Sequence, residues 1–152
     1  MKNHYHLLVS EVVENGIPFF MKKLNMGYTK YFNERYERSG ALWQGKYRKV
    51  LIERDAHFLY IPFYIHLNPL DYVAPEWREG KVKDIRKALE SLLEYRWSSH
   101  LDYLGVRNFP SLLRYDVLNS LLGSRKDYEQ VITDIIRDSA LAFESKLLEY
   151  KN

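Results

Sequence analysis

Along the first third of the chain, apolar side chains recur at Phe20, Leu24, Tyr28 and Tyr31. These spacings of three and four mark one face of a helix and not the alternation of a strand. Gly16 and Pro18 open this helix, and Ser39-Gly40 closes it near Arg38. On either side the pattern changes. His4 to Ser10 is short, aromatic and apolar and reads as a strand, and Leu42 to Ile52 reads as a second strand with an irregularity at Gly45. Asp55 caps a further helix that runs to Asn68, where Pro69 stops it because the residue before proline avoids helical geometry. Pro62 inside that helix predicts a kink, or a split near Ile61. A polar loop over Pro75 to Lys83 leads to an amphipathic helix over Asp84 to Tyr95, with Ile85, Leu89, Leu92 and Leu93 on one side. Short helices follow at Trp97 to Leu104, capped by Ser98 or Ser99, at Tyr115 to Leu122, and from Lys126 onward.

The 152 residues suit one domain, with 46% hydrophobic and 28% charged residues excluding a disordered or membrane-embedded chain. No apolar run approaches the length of a membrane span, and no signal-peptide pattern is present, so a cytoplasmic, nucleoid-associated protein is expected. Cysteine is absent, which leaves His, carboxylate and amide groups as the metal ligands on offer. Charge is unevenly placed. Residues 1–54 hold ten Lys and Arg against five Glu, a net +5, and the remaining thirteen against fifteen give −2. Lys22, Lys23, Lys30, Lys46, Arg48 and Lys49 stand among aromatics, a mixture suited to phosphate contact and base stacking and equally to a solvated helix face.

Two groups of residues carry candidate chemistry. His4 and His6 flank Tyr5, so on a strand both imidazoles project from one face and can share an ion. Tyr64 and Asn68 lie four apart near a helix end, on one face of it. An amide oxygen beside a phenol can complete a metal site, although Tyr64 in a core and Asn68 as a helix cap accounts for the same spacing. His66, two residues on from Tyr64, points elsewhere on the helix.

Four ordered segments, Asn3-His4-Tyr5-His6-Leu7-Leu8-Val9, Gly40-Ala-Leu-Trp-Gln-Gly-Lys46-Tyr, Tyr64-Ile-His-Leu-Asn68-Pro69 and Arg96-Trp97-Ser98-Ser99-His100, resemble those of the REP-associated tyrosine transposases, members of the single-tyrosine HUH (IS200-like) superfamily. The resemblance covers residues 1–105, leaving 106–152 as a helical tail of the single domain 1–152. It implies an α+β, ferredoxin-like antiparallel sheet with packed helices. It further implies that His4, His6 and Asn68 bind Mg2+ or Mn2+, and that Tyr64 attacks single-stranded or hairpin DNA to give a 5′-phosphotyrosine. The family's strand, helix and strand ahead of the histidine motif do not precede His4 here, so either an upstream extension of that character or, failing that, a homodimer formed through an exposed sheet edge is expected. Lys2 and Leu70-Asp71 stand where the family carries a proline and a basic residue. A DNA-binding remnant that no longer cuts is the alternative.

Overall fold

The computed structural model describes residues 3–115 and 122–138. It forms two compact units, one of residues 8–51 and one joining residues 1–7 to residues 52–152.

The smaller unit is built on α1 (Gly16–Arg35). Asn15, in the left-handed region at φ 59°, turns the chain into it. Met21 is its one buried residue, while Phe19, Phe20, Leu24, Tyr28 and Tyr31 face outward. After α1 the chain folds back so that Trp43 Nε1 donates to the Asn25 carbonyl at 3.1 Å and the Trp43 ring lies 5.8 Å from that of Tyr28.

The larger unit is centred on α2 (Asp55–Leu67), which continues through Pro62. Its second half is apolar nearly all round, as expected of a helix surrounded by protein. Phe63, Tyr64, His66 and Leu67 are all buried. A 3₁₀ helix at Asn68–Tyr72 and another at Pro75–Glu79 follow, the second ending at Gly80, whose positive φ of 62° lets the chain reverse. α3 (Ile85–Glu94) is capped by Asp84, which accepts from the Lys87 amide at 3.0 Å. It buries Ala88 and Leu92. After α4 (His100–Tyr103), the buried Asp102 carboxylate closes the next loop by accepting from the Asn108 and Phe109 amides at 2.9 Å. α5 (Arg125–Arg137) begins with a capping box between Ser124 and Asp127. Gly123 sits at φ 69°, where a Cβ would meet Asp127 Oδ2 at 2.9 Å. Although α5 lies in the stretch read as a tail, its Tyr128, Ile132, Ile135 and Ile136 join Leu67, Leu70, Trp77 and Leu92 in the core.

No strand occurs among the described residues. The ferredoxin-like α+β sheet is therefore corrected to a helical fold. A strand is defined by its neighbour, and a pattern of apolar residues cannot create one. Residues 4–10 have no regular secondary structure and 42–52 none beyond a bend at 43–46, and Leu7, Val9, Val50 and Leu51 are exposed. The predicted helix at Tyr115 to Leu122 falls mostly outside the described residues.

One polar chain crosses this core. His66 faces Ser99 Oγ through Nε2 at 2.7 Å and Tyr128 OH through Nδ1 at 2.8 Å, and His100 Nδ1 lies 2.7 Å from the same phenol. A phenol has one proton. It donates to one imidazole and accepts from the other, so both rings are satisfied while neutral. Burial holds His66 down at about 3, helped by the neighbouring His100, and burial holds His100 at about 4. Both values lie below the ordinary 6.5, so the unfolded chain binds the extra protons. Stability is complete above about pH 6.5. It falls with acidification until the folded-state values are reached. Two such groups predict a loss of about 2 kcal/mol between pH 6.5 and 5.5. Urea denaturation at the two pH values measures it, and His100→Gln should roughly halve the difference. Equal stability at both pH values would show that the imidazoles titrate in the fold as they do in the unfolded chain.

Candidate active site

Tyr64 reaches its position because α2 must bury its apolar faces, which leaves the Tyr64 ring 8% exposed at the helix end. Three groups surround the ring. Trp77, from the second 3₁₀ helix, has its ring centre 6.3 Å away, and the Arg78 guanidinium carbon lies 5.5 Å from the Tyr64 centre. On another side the His6 ring meets it edge-on at 5.8 Å, and His4 in turn meets His6 edge-on at 5.2 Å. His4 Nδ1 also lies 2.8 Å from Asn3 Oδ1. Three of the four residues singled out in the sequence, His4, His6 and Tyr64, thus form a continuous run of rings. His4 is exposed and His6 half-buried, so the imidazole pair is open to solvent while the phenol is anchored.

Asn68 is also present, but its side chain is used differently from the ligand expected of it. It is 1% exposed. Its amide nitrogen donates to the Tyr64 carbonyl at 2.8 Å, and its oxygen accepts from Arg78 Nη2 at 3.1 Å. The first bond gives the Tyr64 carbonyl a second donor beside the Asn68 backbone N–H, which already closes the end of α2 on it. The second places a cation at the atom that would have to face a metal. Among the described residues, no group of three or more His, Asp or Glu is arranged to hold an ion.

Arg78 was not legible as a site residue. Asp71 brings it in: Nε and Nη2 of Arg78 donate to the two carboxylate oxygens at 2.9 and 2.7 Å, and Trp77 Nε1 donates to Oδ1 at 2.7 Å. The fork geometry fixes the guanidinium plane. The residues lie seven apart, and only the two successive 3₁₀ helices make them neighbours. Asp71, which stands where the family carries a base, is thus the holder of one.

His66 points away from Tyr64 into the core network, as its offset of two on a helix requires. Tyr60, one turn before Tyr64, is half-buried and packs against the core. A cavity of about 410 Å³ bordered by Asp102, Tyr103, Tyr115, Arg125 and Tyr128 contains none of these site residues. In the smaller unit Lys22, Lys23, Lys30, Lys46, Arg48 and Lys49 are all exposed. Lys23 lies over the Phe19 ring at 5.4 Å, and Lys30 faces Glu34 at 3.8 Å.

No helix among the described residues is long and apolar enough to cross a membrane. No curated protein and no solved structure gives a significant match to the chain. The family model described as "Transposase IS200 like" matches residues 1–68, a stretch that contains His4, His6, Tyr64 and Asn68. Over residues 1–68, a little under half of its length, the chain is thus similar to the IS200-like transposases.

Proposed function

We propose that the chain is a metal-dependent nuclease and strand transferase for single-stranded or hairpin DNA, with Tyr64 as its nucleophile. The observation that carries the reading is the edge-on contact of His6 with Tyr64, with His4 directly behind it, inside the segment that matches a transposase family.

In the reaction the Tyr64 oxygen forms a bond to phosphorus and gives up its proton, while the bond from phosphorus to the DNA 3′ oxygen breaks and that oxygen leaves as a hydroxyl. The product is a 5′-phosphotyrosine. A phosphodiester is replaced by another, so no nucleotide cofactor is consumed, and a second 3′ hydroxyl can reverse the step to join a new strand. An unperturbed phenol, with a pKa of about 10, is a poor nucleophile near neutral pH, so positive charge close to the attacked phosphate is needed. The imidazoles of His4 and His6 fit a divalent ion with positions left for phosphate oxygens and water. Asn68 fits that role less well, because a metal and the Arg78 guanidinium would share one amide oxygen. Mg2+ or Mn2+ bound at the histidines would polarise the phosphate and offset its charge. The exposed Lys and Arg residues of the smaller unit, with Tyr28, Tyr31 and Trp43 among them, suit contact with an unpaired strand.

The exposed, ladder-free histidine segment favours one second reading, a DNA-binding protein that does not cut. Incubation with Mn2+ and an end-labelled single strand separates the two. A cutting enzyme becomes covalently joined to the 5′ side of the break. Tyr64→Phe, which removes one oxygen, abolishes the adduct while leaving fold and DNA binding intact. A peptide map that places the adduct on Tyr60 would reject Tyr64 as nucleophile, and cleavage that survives Tyr64→Phe would point to attack by water.

The imidazole pair also predicts weak Mn2+ binding by calorimetry. His4→Ala and His6→Ala should each lower the affinity, since each removes a donor from the ion. Unchanged binding in the double variant would remove the metal from the site.

A further inference from the structure

The chain has three tryptophans. Trp77 is fully buried and Trp43 half-buried, whereas Trp97 is 70% exposed. That is an unusual place for a tryptophan, a residue highly buried on average. It belongs to the segment Arg96-Trp97-Ser98-Ser99-His100, to which the proposed reaction assigns no role. The ring is not exposed for want of order around it. Asn108 Nδ2 donates to the Arg96 carbonyl at 2.7 Å and to the Ser98 carbonyl at 3.1 Å, so one amide holds the backbone on both sides of Trp97. Asn108 is itself placed by Asp102, whose carboxylate accepts from its backbone N–H at 2.9 Å. Ser99 Oγ lies 2.7 Å from His66 Nε2, which ties the same turn to α2. The indole is thus presented by a fixed turn, and little backbone freedom is lost when a partner stacks on it.

The surroundings of the ring say what fits it. The Arg96 guanidinium carbon lies over the indole, 4.8 Å from its centre. Among the described residues neither an ion pair nor a hydrogen bond occupies that guanidinium. Its charge is therefore not offset by a carboxylate, and the donors around its edge stay open. At 70% exposure the opposite face of the indole is open as well. A flat unsaturated ring suits that face, and a negative group beside it suits the cation. A nucleotide carries both, a base and its phosphate. A protein-binding tryptophan, by contrast, sits at the centre of a patch whose other contacts exclude water, whereas Trp97 is flanked by a charged arginine and by Ser98. In a duplex the base faces are hidden in the stack, so the partner that fits is an unpaired strand.

We propose that Arg96 and Trp97 form a base-stacking subsite for single-stranded DNA, in which the indole lies between the Arg96 guanidinium and an unpaired base, and the guanidinium edge meets a phosphate of the same strand. The inference rests on the reading of the chain as a protein that binds unpaired DNA, and it holds for a cutting enzyme and for a non-cutting binder alike. Ser99 sets the place of the subsite. Two residues span about 7 Å at most, so Trp97 stays close to the turn that meets His66. His66 projects from a side of α2 other than that of Tyr64, and a helix with its side chains is about 10–12 Å across. The subsite therefore takes a nucleotide away from the attacked phosphate, and its effect is on binding of the strand and not on the breaking of a bond.

Binding of the full chain to two fluorescent strands of equal length tests the proposal, one an oligothymidylate and the other a sugar-phosphate strand without bases, at several salt concentrations and without divalent metal so that neither is cut. Trp97→Ala should weaken binding to oligothymidylate roughly ten- to a hundredfold, the scale of one lost base stack. It should leave the log–log salt slope unchanged, because the indole carries no charge. On the strand without bases, Trp97→Ala and the parent should bind alike. Trp97→Phe keeps a ring and should retain most of the affinity. Arg96→Gln should flatten the salt slope by about 0.7 on both strands, the value of one phosphate on a single strand. Equal losses on the two strands in Trp97→Ala would mean that the turn and not a stack had been disturbed, which overturns the proposal, as does unchanged affinity for oligothymidylate. Self-association of the parent that Trp97→Ala abolishes while DNA affinity holds would give the indole to a second copy of the chain and reject the subsite. Should Trp97→Ala not fold, Trp97→Leu, which keeps apolar bulk without a ring, decides by the same signs. A parent chain that binds neither strand rejects the DNA reading itself. A parent that binds oligothymidylate and forms the Tyr64 adduct, with Trp97→Ala binding as tightly, sinks this inference alone.

Discussion

A helix surrounded by protein cannot carry an unsatisfied polar side chain, and α2 carries two near its end, with His66 2% and Asn68 1% exposed. Leaving either without a partner would cost on the order of 1–3 kcal/mol. The rest of the larger unit is arranged around meeting that demand. Ser99 reaches His66 from the turn before α4 and Tyr128 from α5, and Arg78 reaches Asn68 from the second 3₁₀ helix. Apolar burial brings these elements together but is indifferent to rotation of α2 about its axis. The polar pairs are not, because each has a single geometry.

The offsets along α2 convert this into a constraint on Tyr64. Asn68 is one turn beyond it on the same side and takes its carbonyl, whereas His66 is two residues on and projects from another side. The helix is therefore gripped from two directions, with the phenol between. Neither grip uses the Tyr64 hydroxyl group in the contacts described, and both lie in the protein interior. Of the two imidazoles, His6, which meets the ring, is half-buried and His4 behind it is exposed. The proposed nucleophile is held by the fold and the candidate ion site faces outward, a division that suits a reaction in which a large polymer must approach a fixed side chain.

The helices were legible where local physics decides them. Asp84 caps α3 and the three-and-four spacing marks α1, whereas the Asp55 read as a cap is the first helical residue after Arg54, and Asn68 before Pro69 keeps helical geometry as α2 passes into a 3₁₀ helix. Pro62 was read as a kink or split, yet α2 runs through it, since burial on all sides outweighs one missing backbone bond. The strands at residues 4–10 and 42–52 were not legible, because alternation states which residues could face a core and says nothing of whether a neighbouring strand exists. His4, His6 and Tyr64 lie in one run of rings, an arrangement that the resemblance implied and the spacing alone did not. Arg78 was out of reach for a different reason. Its relation to Asn68 depends on two consecutive 3₁₀ helices, read from the sequence as a helix stop and a polar loop. The Ser99-His100 motif was visible as part of a resemblance, but its partner Tyr128 lies 28 residues beyond His100, and no local pattern joins them.

The match to a transposase family ends at residue 68, and the side chains that hold the site begin almost at once thereafter. Asp71, Trp77, Arg78, Ser99, His100 and Tyr128 all lie beyond it, while every proposed ligand and the proposed nucleophile lie within. The supporting residues work in sets that cannot be changed one at a time. An aspartate at position 71 without an arginine at 78 would leave a half-buried carboxylate without its cation. An arginine without the aspartate would lose the fork that orients it. Likewise His66 in an apolar core is tolerable only with a phenol and a hydroxyl to meet its two nitrogens. Each set is thus a local solution to holding the same helix end, and similarity in the chemical residues need not extend to the residues that support them.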